Sequence, residues 1–129
     1  MPLLEADTPH GPLAMVLREV RDGSASWEWE YTVDPAHFNP HGALHGGVVM
    51  SLLDTAMGHL VSEVVVPQGR INAAAQFNIH FLLPIRGGTI RARANIVKIG
   101  KRLAVVEGRA LDETGAVVAI ATATHSLLP

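Results

Sequence analysis

The stretch Val48-Val49-Met50-Ser51-Leu52-Leu53-Asp54-Thr55-Ala56-Met57-Gly58-His59-Leu60-Val61-Ser62-Glu63-Val64 decides the architecture. Val48, Val49, Leu52, Leu53, Ala56, Met57, Leu60 and Val61 recur at helical spacing and cover most sides. Ser51, Asp54, Thr55, Gly58 and Ser62 make a narrower polar stripe. A helix this apolar is a buried helix, and Pro67 and Gly69 end it. Downstream, Ile71–Leu83, Thr89–Ile99, Arg102–Asp112 and Ala116–Leu127 read as β-runs separated by turn formers. Upstream, Leu13–Val20 and Ser24–Val33 read as two strands joined by Arg21-Asp22-Gly23, with Trp27, Trp29 and Tyr31 alternating against polar neighbours. Met1–Pro12, with three prolines, reads as an irregular lead-in. The expectation is an α+β fold, an antiparallel sheet packed on one central helix. That helix can cover only one face of the sheet.

Composition agrees with one domain that associates with itself. The 129 residues are 48% hydrophobic and 17% charged, against a usual charged share of about 25%, which excludes disorder. A lone domain of this size buries only about two-thirds of its unfolded surface, so the apolar excess implies a face covered by another copy. The absence of cysteine excludes disulfides, a thiolate nucleophile and thiolate metal sites, and fits a reducing cytoplasm, the expected location. No basic segment followed by an apolar core opens the chain, so no secretory leader is expected. Asp54, His59 and Glu63 interrupt the longest apolar region, Val48–Val66, against a membrane span. Residues 1–69 carry nine acids and two bases, residues 70–129 eight bases and three acids. The basic half suits a phosphate-bearing ligand or simply the solvated faces of strands. It lacks a basic run interleaved with aromatics, so nucleic acid is not the expected partner.

The chemistry concentrates where the loop enters the helix. Asp34–Gly47 holds two prolines, three histidines and three glycines. Gly46 and Gly47 open the helix, where amides point outward unpaired at the positive end of the dipole. Such an end suits an anion or a developing oxyanion. His45 stands just before it, and Asn39 is placed to orient His45 or a ligand. Asp54 lies mid-helix, where a buried, unpaired carboxylate is costly. It is either bonded to buried backbone or Ser51, or it serves as general base or nucleophile in a cleft. Eight residues separate Gly46 from Asp54, about 12 Å of helix rise. One carbonyl cannot touch both groups of one chain, so a shared reaction centre requires the second from another subunit.

The pattern Asn39-x-x-Gly42-x-x-His45-Gly46-Gly47-x-x-x-x-Leu52-x-Asp54-x-Ala56-x-Gly58 closely resembles the hotdog-fold acyl-CoA thioesterases, particularly their phenylacetic-acid-degradation branch. Phe77-Asn78-Ile79-His80-Phe81-Leu82-Leu83-Pro84 with Gly88, Gly100-Lys101-Arg102 and Gly115-Ala116-Val117-Val118-Ala119 are similar to further signatures, so the resemblance runs from about Leu13 to Leu127. It implies five or six antiparallel strands wrapped around one long helix, dimers sharing a continuous sheet, and often tetramers. It implies hydrolysis of an aromatic or medium-chain acyl-CoA. The Gly46 amide would meet the thioester oxygen, with Gly47 beside it, and His45 and Asn39 would hold that region or the substrate. Asp54 of the facing subunit would activate water or attack the carbonyl. No metal or cofactor is implied. Coenzyme A is part of the substrate, its phosphates on Lys101 or Arg102. Met50, Leu53, Met57 and Phe77 would shape the acyl pocket. Where the family often has Thr or Ser after the helix, this chain has Asn72-Ala73-Ala74-Ala75, leaving Asn72 or Gln76 to supply a polar contact.

Two other readings stand beside hydrolysis. The missing hydroxyl fits a non-catalytic acyl-CoA-binding hotdog protein. His37-Phe38 is similar to the catalytic segment of hotdog dehydratases, although the proline-rich continuation is incomplete and the spacing to Asp54 differs. His37, His41 and His45 recur every four residues, but Pro40 and Gly42 make that segment a loop rather than a metal-binding helix face. His59 and His80 read as packing or interface residues, and His125 as surface or edge strand.

Overall fold

A computed structural model describes residues 3–5, 16–20 and 28–129, with side-chain surroundings from residue 29 onward. Its strands are β1 (Leu3–Glu5), β2 (Val16–Val20), β3 (Glu28–Thr32), β4 (Ile71–Phe81), β5 (Thr89–Ile99), β6 (Leu103–Leu111) and β7 (Val117–Leu128). One helix, α1 (Gly46–Val65), runs between β3 and β4. All seven strands form one antiparallel sheet in the order β1-β2-β3-β5-β6-β7-β4. The five strands from β3 to β4 pack on α1, the hotdog arrangement expected, while β1 and β2 extend the sheet beyond β3. Among the described residues the sheet has seven strands: the six runs read from the sequence and β1, which lies in the lead-in expected to be irregular. The remainder of that lead-in, the Arg21-Asp22-Gly23 turn and the Trp27 side chain lie outside the described residues.

The helix buries one stripe: Val48, Val49, Leu52, Leu53, Ala56, Met57, Val61 and Val65. These meet Trp29, Ile90, Val106 and Val118 from the concave side of the sheet. Fully burying a side chain the size of Leu or Met contributes about 1.5–3 kcal/mol, so this stripe holds the fold together. Gly108 shows how close the layers lie. A Cβ there would sit 3.2 Å from Leu53 and Met57, tighter than side chains normally pack. The expectation of a helix buried on most sides needs correction, however. Met50, Asp54, His59, Glu63 and Val64 are exposed along its other face. By length and composition Gly46–Gln68 could cross a membrane, yet its apolar stripe is the core of this domain.

Strand β4 pairs with β7 along its length and forms the outer edge of the sheet. A bulge between Ala74 and Gln76 inserts one residue. Asn72 and Ala74 stand opposite Leu127 and His125, on the helix side, whereas Gln76 stands opposite Thr124 and Phe77 opposite Ala123. The bulge therefore reverses which side chains face the helix.

Candidate active site

The loop ahead of α1 is fixed by its own polar groups. The Tyr31 hydroxyl accepts from the Asp34 amide at 3.1 Å and shares a hydrogen bond with Nδ1 of the buried His37. Burial pushes that hydroxyl above its ordinary pKa. Asn39 Oδ1 accepts from the amides of His41 (2.9 Å) and Ala43 (3.2 Å), closing a turn in which Gly42 takes φ +79°. Asn39 is thus a staple of the loop and is not bonded to His45. His45 caps the helix: its Nδ1 accepts from the Gly47 amide at 2.9 Å, and its carbonyl accepts from Val48. The capping assigns the imidazole proton to Nε2 in the neutral ring. It also corrects the expectation of two free amides, because Gly47 is engaged and only Gly46 keeps its N–H without an acceptor among the described residues.

Gly46 opens into an apolar cavity of about 360 Å³, walled chiefly by Val49, Phe81, Leu82, Leu83, Ile85 and Val118, with Asn39 at its edge. The Phe81 ring lies so close that a Cβ on residue 46 would stand 2.9 Å from its Cζ. Glycine is needed here for approach rather than for turning.

Asp54 belongs to a second cavity, of about 350 Å³, lined by Thr55, Gly58, His59, Ser62, Asn72, Ala74 and His125. The carboxylate is exposed there, which corrects the expectation of a buried, costly Asp. Asn72 bonds to three groups: Ser62 Oγ donates to its Oδ1 at 2.7 Å, while its Nδ2 donates to the Gly58 carbonyl (3.1 Å) and to His125 Nδ1 (3.0 Å). Asn72 is at the expected place, but its hydrogen-bonding capacity toward a substrate is largely used. The hydroxyls absent from β4 come instead from α1, as Thr55 and Ser62.

His125 escaped the sequence reading. It lies on β7 between β6 and β4, not on an edge, and is 2% exposed. Burial pushes its pKa below the ordinary value, partly offset by the Asp54 charge. The signal was alternation: Ala121, Ala123, His125 and Leu127 recur with period two on the buried side. His59 packs a tilted ring on Trp29 at 4.8 Å, as expected of a packing residue.

The two cavities share no lining residue. Several expected site residues line neither. Met50 is exposed on the open side of α1, and Val49 takes its place in the Gly46 cavity. Leu53 and Met57 are fully buried in the core, and Phe77 packs against it. Gln76 is exposed beyond the bulge. Lys101 and Arg102 are exposed in the β5–β6 turn, where Arg70 Nη1 donates to the Gly100 and Lys101 carbonyls. His37, the residue behind the dehydratase reading, is buried against Tyr31 and lines neither cavity. A larger cavity of about 550 Å³, lined in part by His80, Arg93, Glu107 and Arg109, holds none of the expected residues.

Residues 41–119 match the family model described as the thioesterase superfamily. A Haemophilus influenzae protein provisionally named an esterase is 33% identical over 73 residues, 57% of this chain and 52% of that one. The chain spans about half the length of the first curated relatives it matches. A Bacillus halodurans protein crystallised with CoA superposes with a TM-score of 0.82 at 34% identity, covering 87% of this chain and 74% of that chain. A phenylacetic acid degradation-related protein of Ralstonia eutropha gives 0.75 at 32% identity, covering 95% and 92%.

Proposed function

The chain belongs to the thioesterase superfamily, and from that membership we propose that it hydrolyses an acyl-CoA thioester to a free acid and coenzyme A. The observation that carries the proposal is the unengaged Gly46 amide at the start of a twenty-residue helix, opening on an apolar cavity. A thioester carbonyl seated there gains a hydrogen bond that strengthens as its oxygen becomes negative. The acyl group, aromatic or of medium length, lies against Phe81, Leu82 and Val118. Asn39 and His45 act by holding the loop and the first helical turn in place.

The carboxylate comes from Asp54 of a second copy, since the two cavities of one chain are separate. The free edge of β4 and the exposed face of α1 are the surfaces such a copy would cover. Asp54 acts as general base on water or as nucleophile. As base it takes a proton from the water whose oxygen forms the new C–O bond while the C–S bond breaks, and that proton passes to the departing coenzyme A thiolate. As nucleophile it forms an acyl anhydride as the C–S bond breaks, which water then hydrolyses to release the acid and restore Asp54. Lys101 and Arg102 are proposed to meet the coenzyme A phosphates. The presence of CoA on the Bacillus halodurans relative supports a ligand of this class.

The test is free-thiol release from a panel of aromatic and aliphatic acyl-CoAs by the wild type and by Asp54→Asn. Turnover that the substitution abolishes while CoA still binds supports hydrolysis. Binding without turnover in the wild type would favour an acyl-CoA-binding role.

A further inference from the structure

The Asp54 cavity contains a part-buried chain of hydrogen bonds whose last donor, on the buried His125, has no acceptor among the described residues. The Gly58 carbonyl can only accept, so the Asn72 atom facing it is the amide nitrogen Nδ2. The other hydrogen of that NH₂ then points at His125 Nδ1, which must carry a lone pair. The proton of the neutral ring is thereby placed on Nε2. Ser62 Oγ donates to Asn72 Oδ1 and so completes the bonds of the amide in this orientation. His125 Nε2 is buried and has no partner among the described residues. An unpaired buried donor costs about 1–3 kcal/mol, so an acceptor is missing from this arrangement.

The order of these groups along α1 indicates the acceptor. Ser62 and the Gly58 carbonyl hold Asn72 at one end, and His125 Cε1 stands 3.8 Å from where a Cβ of Gly58 would be. The ring atom beyond Cε1 is Nε2. One turn further along the same helix face lies Asp54, four residues before Gly58, and such neighbours are about 5–6 Å apart. Among the described residues Asp54 is the only carboxylate lining this cavity.

We propose that Ser62, Asn72 and His125 form a positioning relay in which the His125 Nε2–H donates to the Asp54 carboxylate and aims it at the reaction centre. The relay rests on the hydrolase reading for its purpose, but the contact itself is independent of turnover. A rotation of the Asp54 side chain toward Gly58 completes it. Burial pushes the His125 pKa down against the opposing pull of the Asp54 charge, which favours a neutral ring that orients the carboxylate without neutralising it. His125 is a positioning residue and Asp54 the group that acts.

Nitrogen-15 spectra of histidine-labelled full-length protein test the contact. The expected result is a neutral His125 with protonated Nε2, whose proton resonance moves when Asp54→Asn is introduced. A proton on Nδ1, or an Nε2–H indifferent to Asp54→Asn, would overturn the proposal. In steady-state assays His125→Phe should lower kcat roughly 10- to 100-fold, with KM within about twofold, because only orientation is lost. His125→Gln, whose amide nitrogen can replace the Nε2 donor, should recover much of it. A His125→Phe enzyme that folds and keeps wild-type kcat would also refute the relay. Absence of turnover in the wild type would instead sink the hydrolase reading, and the nitrogen spectra would still decide the contact.

Discussion

The two cavities along α1 are built on opposite principles. The one at Gly46 is backbone and hydrocarbon: an unengaged amide, a glycine touched by Phe81, and apolar walls. The one at Asp54 is almost all polar side chain, with Thr55, Ser62, Asn72 and His125 around a carboxylate. The first can polarise a carbonyl but has no base. The second has a base but little apolar surface to seat an acyl group. On the proposed reading each is half of a hydrolytic site, and the helix rise of about 12 Å keeps the halves apart within a chain.

Substitutions that damage only one half test this division. The largest effect is expected for Asp54→Asn: turnover should fall about 10²- to 10⁴-fold with CoA affinity retained, by thiol-release kinetics and calorimetry. Gly46→Pro should cost about 10²- to 10³-fold in kcat, because proline removes the amide hydrogen at a first helical position that tolerates it, and its ring carbons push the exposed Phe81 ring aside within the same cavity. His45 is already extended (φ −61°, ψ 132°), so a following proline should not break the helix. A circular-dichroism melt near that of the wild type would show that the helix and fold survive, so that the loss lies within the Gly46 half.

Smaller effects separate the halves by stability. His45→Ala removes the cap on Gly47 and should cost about 1 kcal/mol in denaturant unfolding, without changing the His125 resonances. The Asp54 half should respond to pH. His125 has a lowered pKa in the folded chain, so the unfolded chain binds the extra proton first. Its contribution to stability is full above the ordinary value of 6.5 and declines as pH falls from there through the folded pKa. Melting temperatures between pH 7.5 and 5 should show this decline, and His125→Gln should remove it.

The helix start of the Gly46 half was legible in the sequence, since His45, Gly46 and Gly47 are adjacent and a helix start is written in local pattern, whereas its walls, brought by Phe81, Leu82, Leu83, Ile85 and Val118 from distant segments, were not. Nor did the sequence carry that His45 engages one of the two glycine amides. The Asp54 half was legible only at Asp54 and Asn72. His125 joins them from another strand, and its face depends on the pairing of β7 with both neighbours. Strict alternation would put Asn72, Ala74 and Gln76 on one face, but the bulge turns Gln76 away. The open face of α1 was misread for a related reason. Helical spacing marks an apolar surface without saying whether this chain or another copy covers it, and five strands cover only one stripe. The same ambiguity led to Met50 where Val49 serves.

On the proposed reading a complete site takes Gly46 from one chain and Asp54 from another. Mixing denatured Asp54→Asn and Gly46→Pro proteins, refolding them together and assaying thiol release tests it directly. Random pairing would make half the dimers mixed, each with one intact site of two, so about a quarter of wild-type activity should return from two inactive parents. A mixture as inactive as its parents, with mixed dimers demonstrated by native mass spectrometry, would contradict the shared site.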